Sequence, residues 1–429
     1  MQWLKELPSH WEEKRMKYCF SERSEKNHPN EPVLCATQSQ GVIPQSMYAN
    51  RVVVVNKGFE GLKLVKEGDF VISLRSFEGG IEYAYYQGII SAAYTVLQPN
   101  NPQSSNYWKY LFKSQSYIQL LQTCVTGIRE GQNINYPMLS RAFIPLPPLA
   151  EQEKIVSYLE DKTSKIDAYV ADKEKEILLL QELKQKTIAE AVTKGLNPNV
   201  KMKDSGISWL GMIPEHWEIK KIGSLFSERR EKVSDKDYPA LSVSKQGITP
   251  QLETAVKTDN GDNRKKVCKD DFVVNSRSDR KGSCGVSPYT GSVSLINIVL
   301  SPRKNIEVQY FHHLFRSNDY IEEYYRIGRG IVADLWTTRY SEMRNIMVPL
   351  PPLDEQRAIV SYIEDKCQKI DTLTMELQAE IDYLKEYKQR LIADVVTGQV
   401  NVAQSESKGN LFTLPSQSNV NEVSVQNEI

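Results

Sequence analysis

The stretch PLPPLAEQEKIVSYLEDKTSKID at Pro145–Asp167 returns as PLPPLDEQRAIVSYIEDKCQKID at Pro349–Asp371. Proline keeps the residue before it extended and cannot continue a helix. A helix therefore cannot run through the prolines at the start of either copy. Beyond these prolines, neither proline nor glycine occurs until Gly195 in the first copy and Gly398 in the second. Repetition on this scale determines the architecture, and the two copies predict two long, equivalent helices.

Apolar residues in the two segments recur in alternating steps of four and three, which is the spacing of a coiled-coil seam. The predicted seam consists of Leu159, Ile166, Val170, Ile177 and Leu180 in the first copy and of Ile363, Ile370, Leu377, Ile381, Leu384 and Leu391 in the second. A single helix cannot bury its own apolar stripe. We therefore predict that the two helices form a coiled coil with each other. Two helices that each pack on their own domain are the alternative.

Shorter motifs ahead of the helices are also duplicated. LPSHWE at Leu7–Glu12 corresponds to IPEHWE at Ile213–Glu218, and GDFVISLRS at Gly68–Ser76 corresponds to DDFVVNSRS at Asp270–Ser278. The chain is therefore a tandem duplication. We predict globular domains over 1–144 and 201–348, helical segments over 145–200 and 349–400, and a disordered polar tail over 401–429.

Each globular domain is predicted to be α+β. Short β-branched or aromatic runs bounded by Gly, Asn or Pro predict strands over 51–56, 70–74, 89–97, 272–275 and 293–300. Apolar residues at helical spacing predict one helix over Tyr107–Leu121 and its counterpart over Gln309–Tyr325.

Composition excludes several classes of protein. The 429 residues carry equal numbers of acidic and basic side chains, so a basic surface has to be local. The six cysteines lack metal-ligand spacing and indicate reduced cytosolic thiols. No stretch has the length and apolarity of a membrane span, and we predict a cytoplasmic protein. His312-His313 is interpreted as a surface pair on a helix. Since the chain also lacks a phosphate loop and the Asn-Pro-Pro-aromatic motif of amino-methyltransferases, we predict no catalytic residues and no metal site.

The duplicated PLPPLxEQ motif before a long helix, together with the duplicated [LI]PxHWE motif, resembles the specificity subunit of type I restriction–modification systems. The resemblance covers nearly the whole chain apart from the polar tail. It implies that each globular domain is a target recognition domain that reads one half of a bipartite, asymmetric DNA sequence. It also implies that the long helices pair antiparallel under a pseudo-twofold, set the spacing between the domains and dock methylation subunits.

The same resemblance implies the partners and cofactors. The partners are double-stranded DNA, two methylation subunits and two motor-nuclease restriction subunits. S-adenosylmethionine, ATP and Mg are expected on those partner subunits and none of them on this chain.

At protein–DNA interfaces, Lys and Arg bind phosphates, and side chains that contact base edges determine the sequence preference. We choose the candidate DNA-binding residues on this basis. The candidates lie after a predicted strand, in the basic runs of the second domain, or before a Pro-rich stop. They are Arg75, Ser76, Arg129, Gln132, Asn133, Arg264, Lys265, Lys266, Arg277, Ser278, Arg280, Lys281, Arg329 and Arg339. An arginine at a strand end can equally face solvent. Gln40 and Gln246 precede a repeated glycine that fits a β-turn as well as a base contact.

Two other functions stay open. A restriction enzyme with modification and cleavage in one chain would require methyltransferase and nuclease motifs, which we do not find. A coiled-coil scaffold that binds proteins but not DNA is mildly favoured by the neutral charge. Salt-dependent binding to duplex DNA distinguishes it from a specificity subunit.

Overall fold

The computed structural model describes residues 3, 4, 6–49, 58–126, 133–251, 261–303, 305–330 and 336–402. The chain divides into two compact units. Unit 1 comprises Met1–Lys173 and Ala379–Ile429, and unit 2 comprises Glu174–Gln378. The strand predicted over 51–56 and almost all of the predicted polar tail lie outside the described residues.

The first globular region consists of short strands and short helices. Its strands are β1 (Glu12–Arg15), β2 (Phe20–Glu22), β3 (Leu34–Thr37), β4 (Gly41–Pro44), β5 (Lys63–Val65), β6 (Phe70–Ile72), β7 (Glu82–Tyr83), β8 (Gly88–Ile90), β9 (Thr95–Pro99), β10 (Val125–Thr126), β11 (Asn133–Ile134) and β12 (Phe143–Leu146). Its helices are α1 (Met16–Cys19), α2 (Ser76–Gly79), α3 (Ser105–Leu111), α4 (Gln115–Thr123) and α5 (Tyr136–Leu139). The long helix α6 (Leu149–Lys194) follows.

The second globular region repeats this plan. Its strands are β13 (Met202–Asp204), β14 (Met212–Pro214), β15 (Glu218–Lys221), β16 (Phe226–Glu228), β17 (Lys232–Val233), β18 (Leu241–Ser244), β19 (Gly247–Pro250), β20 (Arg264–Val267), β21 (Phe272–Asn275), β22 (Cys284–Val286), β23 (Gly291–Val293), β24 (Asn297–Pro302) and β25 (Met347–Leu350). Its helices are α7 (Ile222–Leu225), α8 (Val308–Phe315), α9 (Asn318–Arg326) and α10 (Tyr340–Met343). The long helix α11 (Leu353–Val396) completes the repeat.

A four-stranded antiparallel sheet lies at the centre of each globular region. Its strand order is β2–β9–β6–β7 in unit 1 and β16–β24–β21–β22 in unit 2. In each unit, a phenylalanine of the sheet packs against a phenylalanine at the end of a helix. The ring centroids of Phe70 and Phe112 are 5.0 Å apart, and those of Phe272 and Phe315 are also 5.0 Å apart. The predicted α+β fold with two tandem domains is confirmed.

The single helix predicted in each domain is wrong, because a serine divides it. Ser114 separates α3 from α4, and Ser317 separates α8 from α9, both with extended backbone. The hydroxyl of Ser114 donates to Leu111 O and that of Ser317 to Leu314 O, each at 2.7 Å. A serine hydroxyl that bonds to nearby backbone competes with a continuous helix and favours a helix boundary instead.

The strands predicted over 89–97 and 293–300 are also each divided in two. A turn closed by a hydrogen bond from Tyr94 N–H to Ser91 O separates β8 from β9. A bond from Asn297 N–H to Ser294 O separates β23 from β24 in the same way. The two strands of each pair join different sheets, since β8 pairs with β5 whereas β9 pairs with β2 and β6.

The duplicated motifs meet each other inside each unit. The strand that starts at the last residue of the [LI]PxHWE motif pairs with the Pro-rich strand, β1 with β12 and β15 with β25. Nε2 of His10 lies 2.8 Å from a carboxylate oxygen of Glu151, and Nε2 of His216 lies 2.8 Å from one of Glu355. Each glutamate occupies the first turn of a long helix, where negative charge is favoured by the helix dipole. The PxHW and PLPPLxEQ motifs thus fix the start of each helix.

Each unit contains the start of one long helix and also binds the end of the second one. The buried hydroxyl of Tyr107 donates to Val396 O, near the end of α11, at 2.8 Å. In unit 2, Tyr310 donates to Val192 O near the end of α6 at the same distance. These bonds satisfy carbonyl groups that a helix end leaves without an intrahelical partner.

The two long helices pack antiparallel. In unit 1, Lys388 Nζ lies 2.6 Å from Asp167 Oδ1, and the hydroxyl of Tyr169 donates to Glu380 at 2.9 Å. Going from Asp167 to Tyr169 along α6, the partner on α11 moves back from Lys388 to Glu380, so the two helices run in opposite directions. In unit 2, Lys184 Nζ lies 2.6 Å from Asp371 Oδ1.

The predicted heptad residues are all buried or half-buried. Leu159, Ile166, Val170, Ile363, Leu377, Ile381, Leu384 and Leu391 are buried, while Ile177, Leu180 and Ile370 are half-buried. The coiled coil of the two copies is confirmed, and the alternative of two helices packed only on their own domains is excluded.

We expect Ile381→Ala to destabilise the helix pair. Ile381 is fully buried in unit 1, and removing such a side chain costs about 2–5 kcal/mol through reduced burial and the cavity left behind. Amides of α11 should therefore exchange faster in native-state hydrogen exchange. The control is Met375→Ala on the same helix, because Met375 is 73% exposed and its truncation should change stability by less than about 0.5 kcal/mol. Equal exchange rates in both variants would contradict the packing.

We expect Tyr107→Phe and Tyr310→Phe each to destabilise the helix end that the hydroxyl holds. Both changes leave a buried carbonyl without its donor, which costs about 1–3 kcal/mol. Tyr107→Phe should speed amide exchange in the last turns of α11, and Tyr310→Phe in the last turns of α6. Tyr383→Phe is the matched control, since Tyr383 is 58% exposed. Exchange unchanged from the wild type would show that these bonds contribute nothing.

Candidate nucleic-acid interface

A surface turn follows the same central strand in both units. In unit 1 it begins at exposed Arg75, the residue before α2. Ser76 is buried, and its hydroxyl oxygen accepts a hydrogen bond from Ser73 N–H at 2.9 Å. Ser76 therefore shapes the turn, and Arg75 is the cationic side chain among those that the turn exposes.

In unit 2 the corresponding turn follows β21. Exposed Arg277 precedes a short 3-10 helix over Ser278–Arg280. Arg277 Nε lies 3.1 Å from Asp279 Oδ1. Such an exposed ion pair is weak, so the arginine stays available to an anionic ligand.

The chain segment before each Pro-rich stop lies against this turn. In unit 1, β11 begins at exposed Asn133 and contacts α2. In unit 2, Thr337 forms β-bridges with both Arg277 and Arg329, and Thr338 N–H donates to Ser276 O at 3.1 Å. The structure thus brings together candidates that lie far apart in the sequence. Arg129 and Gln132 lie outside the described residues.

Unit 2 gathers basic side chains at this place. We define the arginine surface as Arg277, Arg280, Lys281, Arg326, Arg329 and Arg339, all of them exposed. Carboxylates of Asp279, Glu322, Glu323 and Glu342 lie beside some of these cations. Within the part of the chain that the structure describes, these carboxylates are fewer than the cations, and the described surface has an excess of positive charge.

The sequence analysis missed three residues of this region. Arg326 belongs to the arginine surface, and exposed Trp336 lies near it in the chain. The hydroxyl of Tyr325 donates to Arg277 O at 3.2 Å, and the ammonium group of Lys281 lies 5.4 Å from the centre of its ring. The signal was available as an alternation of aromatic and basic residues over 324–340, a pattern that suits stacking and phosphate contacts.

The basic run at Arg264, Lys265 and Lys266 is not placed as expected. All three lie on β20. Arg264 is only 5% exposed, and its guanidinium donates to Ser292 Oγ at 2.9 Å. Lys265 donates to Asn297 O at 2.7 Å, and Lys266 pairs with Glu231 at 2.9 Å. Their charges are used within the fold, so we leave these three residues out of the interface.

The glycines after Gln40 and Gln246 serve a turn. Gly41 has φ +72° and Gly247 has φ +114°, both in the region that favours glycine. The β-turn interpretation is confirmed. Both glutamines are exposed at the tip of a hairpin, β3–β4 in unit 1 and β18–β19 in unit 2.

The histidine pair on α8 is structural. His312 Nδ1 accepts a hydrogen bond from Val286 N–H at 3.2 Å. Burial, together with nearby Arg316, lowers the pKa of His312 to about 3 and that of His313 to about 4. The surface-pair interpretation is therefore wrong, since both rings are half-buried.

Two kinds of feature are not found within the described ranges. No group of three or more His, Cys, Asp or Glu side chains there is arranged to hold a metal ion. No helix in those ranges combines the length and the apolarity needed to cross a membrane.

The structure is similar to two solved structures. A chain of a type I R-M system, solved in a study of complex assembly and conformational transition, has a TM-score of 0.65 and 16% identity, with 92% of this chain and 100% of that chain covered. The HsdS subunit from Thermoanaerobacter tengcongensis has a TM-score of 0.51 and 17% identity, with 92% and 99% covered. Both share the fold of this chain.

Similar sequences point to the same group of proteins. The putative type I restriction enzyme MjaX specificity subunit of Methanocaldococcus jannaschii is 26% identical over 320 residues, which are 72% of this chain and 71% of that protein. The EcoKI specificity subunit of Escherichia coli strain K12 is 23% identical over 331 residues, 71% of this chain and 68% of that protein. The Methylase_S family, described as the type I restriction modification DNA specificity domain, matches residues 11–179 and again residues 214–383. This chain therefore belongs to the family of type I restriction–modification DNA specificity proteins.

Proposed function

We propose that this chain is the non-catalytic DNA sequence-specificity subunit of a type I restriction–modification complex. The chain belongs to this family, and one structural feature found in both of its units supports the proposal. A turn after the central strand exposes an arginine, and the segment before the Pro-rich stop lies against it. Each unit thereby offers one compact site for DNA, and the other specificity subunits that resemble this chain support the same role.

The chemistry of the two sites supports reading of DNA. Guanidinium groups hold phosphates or bind guanine through two hydrogen bonds. Exposed Asn133 in unit 1 offers an amide, which binds adenine through two hydrogen bonds. Exposed Trp336 in unit 2 offers a ring for stacking on a base.

The two sites differ, and the proposed target is therefore asymmetric. The described part of unit 1 contributes Arg75 and Asn133, whereas unit 2 contributes the whole arginine surface. Unlike side chains on the same frame read unlike bases. We propose that each unit reads one half of a bipartite DNA sequence that is not a palindrome.

We propose that the helix pair sets the spacing of the half-sites and docks the methylation subunits. A helix of 44–46 residues is about 66–69 Å long, while half-sites on one face of DNA lie about 34–36 Å apart. The helices also expose large apolar side chains, among them Leu178, Leu179, Leu183, Met375 and Tyr383. Exposed apolar groups of this kind are typical of protein interfaces.

The proposed complex contains double-stranded DNA, two methylation subunits and two motor-nuclease subunits in the cytoplasm. We expect S-adenosylmethionine, ATP and Mg on these partner subunits. The role of this chain in the complex is to bind and orient DNA, with the chemistry carried out by its partners.

The first test is genome-wide adenine methylation in a host that supplies the methylation subunits, with and without this gene. We expect a bipartite, asymmetric methylated motif only when the gene is present. Exchange of residues 1–144 for those of another family member should change one half of the motif and keep the other. A complex that assembles without any gene-dependent methylation would contradict the proposal and favour a protein-binding scaffold.

The second test addresses the arginine surface. We expect the double variant Arg329→Ala/Arg339→Ala to weaken DNA binding by the assembled complex. For every phosphate that an arginine no longer neutralises, the slope of log K against log salt should fall by about 0.9, which a titration from low to high salt measures. Lys369→Ala is the control, because Lys369 is an exposed lysine on α11 paired with Asp365. An unchanged slope in the double variant would exclude these arginines from phosphate binding.

A further inference from the structure

A basic side chain at equivalent positions of the two units connects a hairpin to the arginine-bearing turn (73–80 in unit 1 and 276–283 in unit 2), or to the strand that directly follows it. In unit 1, Lys113 lies two residues after the end of α3. Its ammonium group donates to Gln38 O at 3.2 Å and to Gly79 O at 2.9 Å. Gln38 lies in the turn of the β3–β4 hairpin, and Gly79 ends α2. One cation thus bonds to both loops.

Arg316 repeats this arrangement in unit 2. It is the residue after α8, and its guanidinium donates to Lys245 O at 2.5 Å and to Cys284 O at 3.4 Å. Lys245 lies in the turn of the β18–β19 hairpin. Cys284 begins β22, directly after the turn that carries Arg277. Arg316 thus bonds the hairpin to the strand that directly follows the arginine-bearing turn, whereas Lys113 bonds the hairpin to the turn itself.

The linked segments are also in direct contact, through the hairpin turn and α2 in unit 1 and through β19 and β22 in unit 2. A Cβ added at Gly79 would lie 2.8 Å from Gln38 Cδ, and one added at Gly80 would lie 2.2 Å from Phe112 O. In unit 2, a Cβ added at Gly285 would lie 3.3 Å from Gly247 Cα. The cation therefore adds a hydrogen-bonded link between segments that already pack against each other.

The two cations differ in their charge environment. Both carboxylate oxygens of Glu82 lie 2.7 Å from Lys113 Nζ, and Glu82 is buried. Burial raises the pKa of Glu82 to about 7, while Lys113 acts in the opposite direction. Arg316 bonds to backbone carbonyls at the corresponding place. The shared feature is therefore the link from the cation to the hairpin, and among the described residues the ion pair is found in unit 1.

The bridged hairpins each expose a glutamine at the tip. Gln40 follows Gln38 by two residues, and Gln246 follows Lys245 directly; both side chains are exposed. A glutamine amide forms two hydrogen bonds with the edge of adenine. Such a contact selects a base only if the amide is held at a fixed distance from the phosphate contacts of the same site.

We infer that Lys113 and Arg316 are positioning residues for DNA reading. Each one holds a glutamine-tipped hairpin beside the arginine-bearing turn of its own unit, so that each unit reads its half-site with both loops. The inference rests on the proposed function. Because each bridge lies within one unit, its removal affects one half of the target.

The test uses the complex of the full chain with its methylation subunits and a library of random DNA duplexes. Bound duplexes are sequenced for the wild type, Lys113→Met and Arg316→Met. We expect each variant to lose about tenfold or more of its base preference in one half of the motif, and the two variants to affect opposite halves. Arg316→Lys, which keeps a cation, should recover part of the preference.

Two controls separate positioning from folding and from charge. Lys113→Met leaves the buried Glu82 carboxylate without its cation, so Lys113→Met/Glu82→Gln is measured beside it and should relax the same half-site. Lys165→Met removes an exposed charge on α6 and should change neither half. Local unfolding of one unit would also relax its half-site, so native-state hydrogen exchange in the central sheet of that unit is measured for each variant and should match the wild type.

The outcomes distinguish this inference from the proposed function. Full base preference in both halves for Lys113→Met and Arg316→Met would overturn the inference, and so would equal relaxation of both halves by each variant. A wild-type complex without base preference in either half would instead overturn the proposed function.

Discussion

The fold depends on the burial of two apolar stripes that neither long helix can bury by itself. Because α6 and α11 pair antiparallel, the first half of α6 packs with the second half of α11 in unit 1, and the remaining halves pack together in unit 2. Each unit is therefore built on the start of one helix and the end of the other. Unit 1 consequently combines two separate segments of the chain, whereas unit 2 is a single continuous segment.

This arrangement explains why the short motifs are duplicated with the helices. The histidine of PxHW contacts the glutamate of PLPPLxEQ at the start of the helix in the same unit. The glutamine of PLPPLxEQ donates to a proline carbonyl of its own motif, as Gln152 does to Pro147 O and Gln356 to Pro351 O. A buried tyrosine then bonds to the end of the opposite helix. The motifs thus mark the places where each globular region closes on the helix pair.

The two units use this common frame with different surface chemistry. The central sheet, its aromatic core and the bridge from a cation to the hairpin occur in both. The exposed side chains differ, with Arg75 and Asn133 in unit 1 and the arginine surface in unit 2. A shared framework with different exposed side chains suits a protein that has two unlike recognition sites.

The sequence by itself determined the duplication, the two long helices, their seam and the resemblance to a family. These features are visible in one dimension, because a heptad stripe and a repeated motif depend only on spacing along the chain. It also located Arg75 and Arg277, since each follows a strand that the pattern indicates.

Only the tertiary structure decided which half of each helix pairs with which, and which basic residues reach the surface. Arg264 and Arg280 are equivalent as residue types, yet Arg264 is held by Ser292 inside the fold while Arg280 is exposed. The division of the predicted helices at Ser114 and Ser317 also required the surrounding structure. The pairing of the helix halves and the burial of Arg264 depend on contacts between residues far apart in the chain, and local spacing carries no information about such contacts. The two serine breaks use bonds to residues three positions earlier, which the spacing of apolar residues does not show.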